Sequence, residues 1–192
     1  MNKKAKIIII CTIIFIIIFV IFNKISKNGN NITSQGKEQD ILNLKSYNTI
    51  AEVRIKSNKN ENKYLIKQKY QKNENEEILE QEVLEPSNIS GLKIVKKDNN
   101  LIVENSELKL KTVYENYEYI SDNCLDLISF IKEFKNNKES NYNKEKEEIV
   151  LKVNNKTLYI DSKNNKPIKM EIKDANKNSV VYILYKEINL NS

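Results

Sequence analysis

The sequence predicts an α+β domain in which a large, strongly curved antiparallel sheet wraps around one central helix, preceded by one N-terminal transmembrane helix. Three observations lead to this prediction. An uncharged apolar run occupies residues 7–22, and apolar and polar residues alternate with a period of two along most of the remaining chain. Between residues 121 and 135 the apolar spacing changes to three and four, which is typical of one helix face.

The run from Ile7 to Phe22 has the composition of a membrane anchor. As a helix its 16 residues extend about 24 Å, and flanking lysine stems lengthen that reach. More lysines precede the run than follow it closely, so the positive-inside bias places the N-terminus in the cytoplasm. No small-residue cleavage site follows, and Cys11 lies inside the run, where it fits a lipid attachment site poorly. We expect an uncleaved signal anchor, with removal or lipid attachment as the alternatives.

This topology divides the chain into four parts. Residues 1–6 form a cytoplasmic stub and residues 7–22 the transmembrane anchor. Residues 23–38 contain two of the three glycines and few apolar side chains, which favours a flexible linker. Residues 39–192 then form an extracytoplasmic domain, attached to a bacterial cell membrane by a single span.

The composition argues against a nucleic-acid partner and against catalysis. The formal charge is +6, but residues 1–27 hold five lysines and no acid, so the rest of the chain carries 27 basic and 26 acidic side chains. Without histidine there is no Ser-His-Asp or Cys-His arrangement and no imidazole zinc site, and three glycines do not build a phosphate loop. We therefore expect a non-enzymatic binding module with no cofactor and no metal.

Alternating segments separated by polar turns predict nine or so strands joined as a meander. A short helix over residues 39–47 precedes them, and a deeply packed helix over residues 121–135 interrupts them, with Ser121 as its N-cap and Cys124 on its apolar face. The charged run 136–148 reads as a solvated loop. The predicted strand segments are 49–56, 64–70, 77–85, 92–95, 101–104, 108–114, 149–153, 157–161, 168–173 and 179–185.

Three tyrosines, Tyr114, Tyr117 and Tyr119, cluster just before the predicted helix. Aromatic rings with a polar tip are enriched at protein interfaces, but they are also common as cross-strand partners inside sheets. Such tyrosines are more often cross-strand partners inside a sheet than interface residues. We keep the three residues as candidate binding residues.

The segment from Val83 to Ile94 carries a second kind of signal. Glu85 and Pro86 end a predicted strand, because proline cannot donate to a ladder, and Gly91 precedes the next strand. This leucine-glutamate-proline and glycine-leucine pattern, with the order of elements, resembles the LolA/LolB-like superfamily of lipoprotein carriers. Within it the chain is most similar to the germination lipoprotein GerS group of clostridial spore formers. The resemblance implies an open half-barrel around a helix and adds Glu85, Pro86 and Gly91 to the candidate binding residues.

The resemblance also implies a function. Members of that group are not enzymes; they bind and support a cortex peptidoglycan amidase of the CwlD kind in spore formation and germination. The developing spore envelope is then an expected location. An alternative is a lipid or lipoprotein carrier that uses the concave apolar face of the sheet. A homodimer and a generic anchored envelope protein also stay open.

Overall fold

Eleven antiparallel strands form one open sheet in the computed structural model, which describes residues 39–117, 125–145, 147–174 and 178–191. The predicted anchor, residues 7–22, and the predicted linker, residues 23–38, lie outside the described residues. Within the described ranges, none of the helices combines the length and the apolar character that a membrane crossing requires.

The elements follow one another with short connections, as expected for a meander. In chain order they are α1 (Gln39–Leu42), β1 (Ser46–Lys56), β2 (Glu61–Lys72), β3 (Glu77–Glu85), a 3₁₀ turn (Ser87–Ile89), β4 (Leu92–Lys97), β5 (Asn100–Asn105), β6 (Leu110–Tyr114), α2 (Leu127–Asn136), β7 (Asn141–Lys144), β8 (Glu148–Val153), β9 (Lys156–Asp161), β10 (Pro167–Asp174) and β11 (Ser179–Asn191).

The sheet consists of two meanders joined in its middle. Its strand order is β6-β5-β4-β3-β2-β1-β11-β10-β9-β8-β7, so the first and last strands of the chain are neighbours. The long pairing of β1 with β11 runs from Ser46 opposite Asn191 to Lys56 opposite Val180. As a consequence β6 and β7 become the two edges, and α2 lies in the chain between one edge strand and the other.

The core lies between α2 and the central strands. Alternation along β1 turns Tyr47, Thr49, Ala51 and Val53 inward, and all four are buried. The apolar face of α2 joins the same buried cluster, with the rings of Phe130 and Phe134 stacked at 6.1 Å. Burying a side chain of that size stabilises the fold by about 1.5–3 kcal/mol. The buried residues of α2 are Leu127, Ile128, Phe130, Ile131 and Phe134.

The prediction that Ser121 begins the second helix is wrong. The helix begins at Leu127, and its N-cap is Asp126, whose Oδ1 accepts a hydrogen bond from the backbone N–H of Ser129 at 2.8 Å. A carboxylate is also the better partner for the positive helix end. Cys124, predicted on the apolar face of this helix, lies outside the described residues.

Two further predictions need correction. The charged run 136–148 is not loop throughout, because β7 forms within it and pairs with β8. The sequence of β7 is almost wholly polar, so apolar alternation did not predict this strand. Polar sequences of this kind are common in strands at sheet edges. The first helix ends at Leu42, so Tyr47 belongs to β1, where its ring packs on Tyr70 at 5.6 Å. The described sheet therefore has eleven strands, which are the ten alternating segments and β7.

Candidate functional site

Four strands of the sheet, β3 to β6, extend beyond the buried core, and we name them the wing. Only Leu79 and Asn105 of these strands are buried, whereas most residues of β8, on the other side, are buried. The wing therefore presents accessible surface on both of its faces. It is the part of the described domain that is best placed to meet another molecule.

The outermost strand of the wing, β6, exposes every one of its residues. It pairs with β5 on one side, and among the described residues no strand pairs with its other side. Leu110 is 62% exposed and Tyr114 is 50% exposed, and Val113 is exposed between them. An open edge with exposed apolar side chains is a ready template for an added strand.

The opposite edge strand, β7, provides an internal comparison. Its four residues are Asn141, Tyr142, Asn143 and Lys144, and Tyr142, its one aromatic residue, is half-buried. Short, polar edge strands are a usual protection against unwanted pairing. The two edges of the same sheet thus differ, and the apolar exposure is specific to β6.

A hydrogen-bonded turn connects β5 to β6 and contains the exposed apolar residue Leu108. The side chain of Asn105 accepts a hydrogen bond from the Leu108 backbone N–H at 3.0 Å and donates one to the Ser90 carbonyl at 3.4 Å. Lys109 then adopts a φ of 54° to complete the turn. Leu108 is the most exposed large apolar side chain of the described residues, at 66%.

Glu85, Pro86 and Gly91 lie at the same end of the wing as this turn. Glu85 and Pro86 are exposed and are joined by a cis peptide bond. Gly91 has a φ of +77°, and its N–H donates to the Val83 carbonyl at 2.9 Å. Glycine suits this left-handed conformation because it has no Cβ. These predicted residues therefore form the β3–β4 connection.

Tyr114 ends β6, about 14 Å along the strand from Leu110, and Tyr117 follows it in the chain. The Tyr117 N–H donates to the Asn99 carbonyl at 2.7 Å, so this end meets the β4–β5 turn. Both tyrosines are exposed, and Tyr119 lies outside the described residues. The structure thus brings the predicted residues to two ends of one wing and not to a single point.

A cleft of about 670 Å³ separates the wing from α2. Charged and amide residues are the most numerous in its lining, and Leu79, Ile128 and the predicted site residue Tyr117 also line it. Lys132 of α2 forms an ion pair across it with Glu77 of β3. The cleft therefore combines apolar wall surface with a charged pair that an acyl chain would have to desolvate.

A buried polar cluster fixes the N-terminus of α2 beside the cleft. The amide of Gln68, which is fully buried, donates to the Leu125 carbonyl at 3.0 Å, and the Lys96 Nζ lies 3.7 Å from the Asp126 carboxylate. Tyr47 and Tyr185 are buried nearby. Burial and the charge of Asp126 raise the pKa of both phenols well above the ordinary tyrosine value.

The sequence interpretation missed Leu108, Leu110 and Val113. Leucine and lysine alternate in this stretch, which is also the pattern of a half-buried strand inside a sheet. The one available signal was the placement of Val113 on the polar side of that alternation. Their exposure follows from the position of β6 at the edge, which a local pattern does not reveal.

Several solved structures have a similar fold. A putative outer membrane lipoprotein-sorting protein domain from Vibrio parahaemolyticus matches with 8% identity and a TM-score of 0.40, covering 77% of this chain and 86% of that one. A LolA superfamily protein from Nitrosomonas europaea matches with 14% identity and a TM-score of 0.42, covering 82% and 95%. The structure of the CwlD amidase from Clostridioides difficile in complex with the GerS lipoprotein matches with 21% identity and a TM-score of 0.44, covering 85% and 97%.

These similarities are ones of fold alone. No family model matches the sequence, and no curated protein matches it.

Proposed function

We propose that this protein is a membrane-tethered, non-catalytic binding protein that docks a protein partner on the exposed edge of its wing. The observation that carries the proposal is the concentration of exposed apolar side chains at β6. Of the six large apolar residues that are exposed in the described chain, five lie between residues 108 and 117. Apolar and aromatic side chains gathered on one exposed surface are typical of interaction sites.

The partner that we propose is a cell-wall amidase of the CwlD kind, and the proposed role is in cortex formation and germination of a spore. One structure of similar fold is that of GerS in complex with the CwlD amidase. The predicted anchor at residues 7–22 supports this role, because it would hold residues 39–192 outside the membrane, on the side where peptidoglycan lies. Single-pass anchoring in the bacterial cell membrane is part of the proposal.

A lipid or lipoprotein carrier has less support from the geometry. The inner face of the central strands is filled by side chains of α2, including Phe130 and Ile131, each 1% exposed. The cleft that remains is crossed by the Lys132–Glu77 ion pair. An acyl chain in that cleft would desolvate charged groups, which costs free energy.

The proposal is tested by capture from sporulating cells of the source organism. The full-length tagged protein is extracted in mild detergent, and co-purifying proteins are identified by mass spectrometry. We expect wild-type protein to retain a cell-wall amidase and the Leu110→Ser/Tyr114→Ser double variant to lose it. Ile168→Ser is the matched control, because Ile168 is exposed to 40% but lies on β10, away from the wing.

Circular dichroism would check that the double variant keeps its sheet. The replaced side chains are largely exposed, so the fold should tolerate their loss. Capture of no amidase by the wild-type protein, or equal capture by the double variant, would refute the proposal.

A further inference from the structure

The face of the wing that is opposite the buried one carries a row of charges that alternate in sign from strand to strand. The register places Lys67 of β2 opposite Glu82 of β3, and the row continues through β4 and β5 to β6. Opposite charges on neighbouring strands stabilise their pairing, whereas like charges oppose it. The row consists of Lys67, Glu82, Lys93, Glu104 and Lys111.

The last member of this row stands at the open edge. The Nζ of Lys111 lies 3.9 Å from Oε2 of Glu104 on one side, and its side chain is 61% exposed. On its other side the alternation would continue with a carboxylate, if another strand were added. The edge therefore has a charge preference as well as backbone groups with which no described strand pairs.

A second row, two residues further along the strands, is apolar. Val95 of β4 lies opposite Ile102 of β5, and Ile102 lies opposite Val113 of β6. Val113 is 48% exposed at the end of this row. An aliphatic side chain on an added strand would extend the row and cover Val113, which removes apolar surface from water.

The opposite face of β6 adds a further requirement. Leu110, Thr112 and Tyr114 share this face, and Tyr114 stands in the row that leads through Leu101 and Lys96 to Leu79 in the cleft. Leu110 and Tyr114 would be covered by apolar side chains of an added strand. The edge thus favours a strand that is apolar on one face and mixed on the other.

We infer that the free edge of β6 binds an extended segment of the partner protein as a twelfth, antiparallel strand, with an aliphatic side chain opposite Val113 and a carboxylate opposite Lys111. Every strand pair of the sheet is antiparallel, so the segment reads aliphatic, any residue, acidic in its own N-to-C direction. This inference rests on the proposed function, in that the partner is a protein, and it specifies the chemistry of the bound segment.

A second copy of the chain covers this edge less completely than a longer partner segment. Two β6 strands paired around Lys111 or Thr112 give neither lysine a carboxylate. Paired around Val113, each Lys111 faces Glu115 of the other copy, but Leu110 then faces Asn116, which lies beyond the end of β6 in a turn with a φ of 52°. Self-pairing therefore leaves Leu110 without an apolar partner strand, and the whole edge favours a separate acidic segment.

The test uses two synthetic five-residue peptides and the full-length protein in detergent. The first peptide, Leu-Val-Thr-Glu-Leu, places valine opposite Val113 and glutamate opposite Lys111 in the antiparallel register. The second replaces the glutamate by lysine. We expect wild-type protein to bind the glutamate peptide about fivefold more tightly, because a cross-strand charge pair contributes about 1 kcal/mol. Binding is measured by fluorescence anisotropy at low salt.

Charge reversal at the edge gives the decisive variant. Lys111→Glu should invert the preference in favour of the lysine peptide. Lys67→Glu is the matched control: it makes the same change at the other end of the same row, about 19 Å away, and should keep the wild-type preference. Equal binding of the two peptides by wild-type protein, or a preference that Lys111→Glu leaves unchanged, would overturn the inference.

Two other results separate this inference from the proposed function. If no amidase is captured while Lys111→Glu inverts the peptide preference, the inference stands and the amidase is the wrong partner. If an amidase is lost from the Leu110→Ser/Tyr114→Ser variant but the peptides bind alike, docking stands and the inferred segment is wrong. A dimer seen by native mass spectrometry that this double variant makes monomeric would assign the edge to a second copy and overturn the inference.

Discussion

A buried ion pair attaches α2 to the β8–β9 hairpin, and removing only one of its two members should destabilise the domain more than most single substitutions do. The Nζ of Lys156 lies 2.6 Å from Oε2 of Glu133, and the Lys156 side chain is 1% exposed. The other carboxylate oxygen of Glu133 accepts a hydrogen bond from the Asn154 amide at 2.6 Å. The pair thus links α2 to the turn between β8 and β9 and to the first residue of β9.

The magnitude follows from what each substitution leaves behind. Removing one member of a buried pair usually costs about 3–5 kcal/mol. Lys156→Met leaves a carboxylate that is 16% exposed and keeps its bond to Asn154, so we expect the lower end, about 3 kcal/mol. Glu133→Gln leaves a more deeply buried ammonium beside an amide, and we expect about 4 kcal/mol.

The double variant Lys156→Met/Glu133→Leu removes both charges. Because no buried charge then lacks its counter-charge, its stability should lie within about 1 kcal/mol of wild type. The assay is thermal unfolding of the full-length protein in mild detergent, followed by far-ultraviolet circular dichroism. A loss of 3 kcal/mol corresponds to about 9 °C in a domain of this size.

An exposed pair provides the control for this experiment. Lys163 and Glu147 lie 3.8 Å apart with side chains that are 76% and 80% exposed, so Lys163→Met should leave the unfolding temperature unchanged. The reasoning would be refuted if Lys156→Met behaved like Lys163→Met. A double variant as unstable as the sum of its single variants would also refute it.

Three further predictions concern the backbone, the helix cap and alkaline pH. Gly91→Ala should lower the free energy of unfolding, measured in urea, by about 1–2 kcal/mol. The positive φ alone causes this loss, because an added Cβ meets nothing nearer than 4.0 Å. Gly91→Asn should cost less, and an unchanged stability of Gly91→Ala would refute the prediction. Asp126→Ala removes both the N-cap of α2 and the counter-charge of Lys96, so it should cost more than the roughly 1–2 kcal/mol of a cap alone. Asp126→Asn keeps the capping oxygen but loses the charge, so its stability should lie between those of wild type and Asp126→Ala. Tyr47 and Tyr185 have a pKa raised by burial, so the folded state holds their protons longer than the unfolded state. Stability should therefore fall as the pH rises above about 10, by about 1.4 kcal/mol per pH unit for each of these phenols, and remain unaffected by them below that pH. Absorbance of tyrosinate, recorded with circular dichroism, should show these phenols ionising only as the sheet unfolds; ionisation in the folded state would contradict this.

Local sequence signals predicted the strands well where a turn residue or proline marks their ends. The bounds of β3 agree with the prediction, because the alternation begins after a polar turn and Pro86 follows Glu85. The same signals predicted β4, β5, β8 and β9 to within two residues at each end. Such pairings are between chain neighbours, so local patterns contain most of the necessary information.

The beginning of α2 depended on contacts that are distant in the sequence. Ser121 and Asp126 both have side chains that cap helices, so the residue types alone did not decide between them. The Gln68 amide binds the Leu125 carbonyl, 57 positions away, and Lys96 lies beside Asp126. These contacts hold Leu125 outside the helix. The spacing of apolar residues along the sequence does not reveal them.

The candidate site was predictable only in part for the same reason. The sequence predicts Tyr114 and Tyr117 as candidate binding residues, and both are exposed, but the alternation around Leu108 and Leu110 is that of an ordinary strand. Whether an alternating strand is central or at an edge depends on the pairing of β1 with β11, which joins the two ends of the domain. That pairing makes β6 an edge strand.

Hydrogen–deuterium exchange of the full-length protein, with and without the proposed cell-wall amidase, tests the docking of a protein at β6 most directly. We predict that the partner slows exchange of backbone amides between Leu110 and Tyr114, because an added strand takes up the free N–H groups of that edge. The amides of β7, at the opposite edge, should exchange at the same rate in both states. Protection at β7 or on α2 with none at β6 would contradict the claim that the wing edge is the docking site.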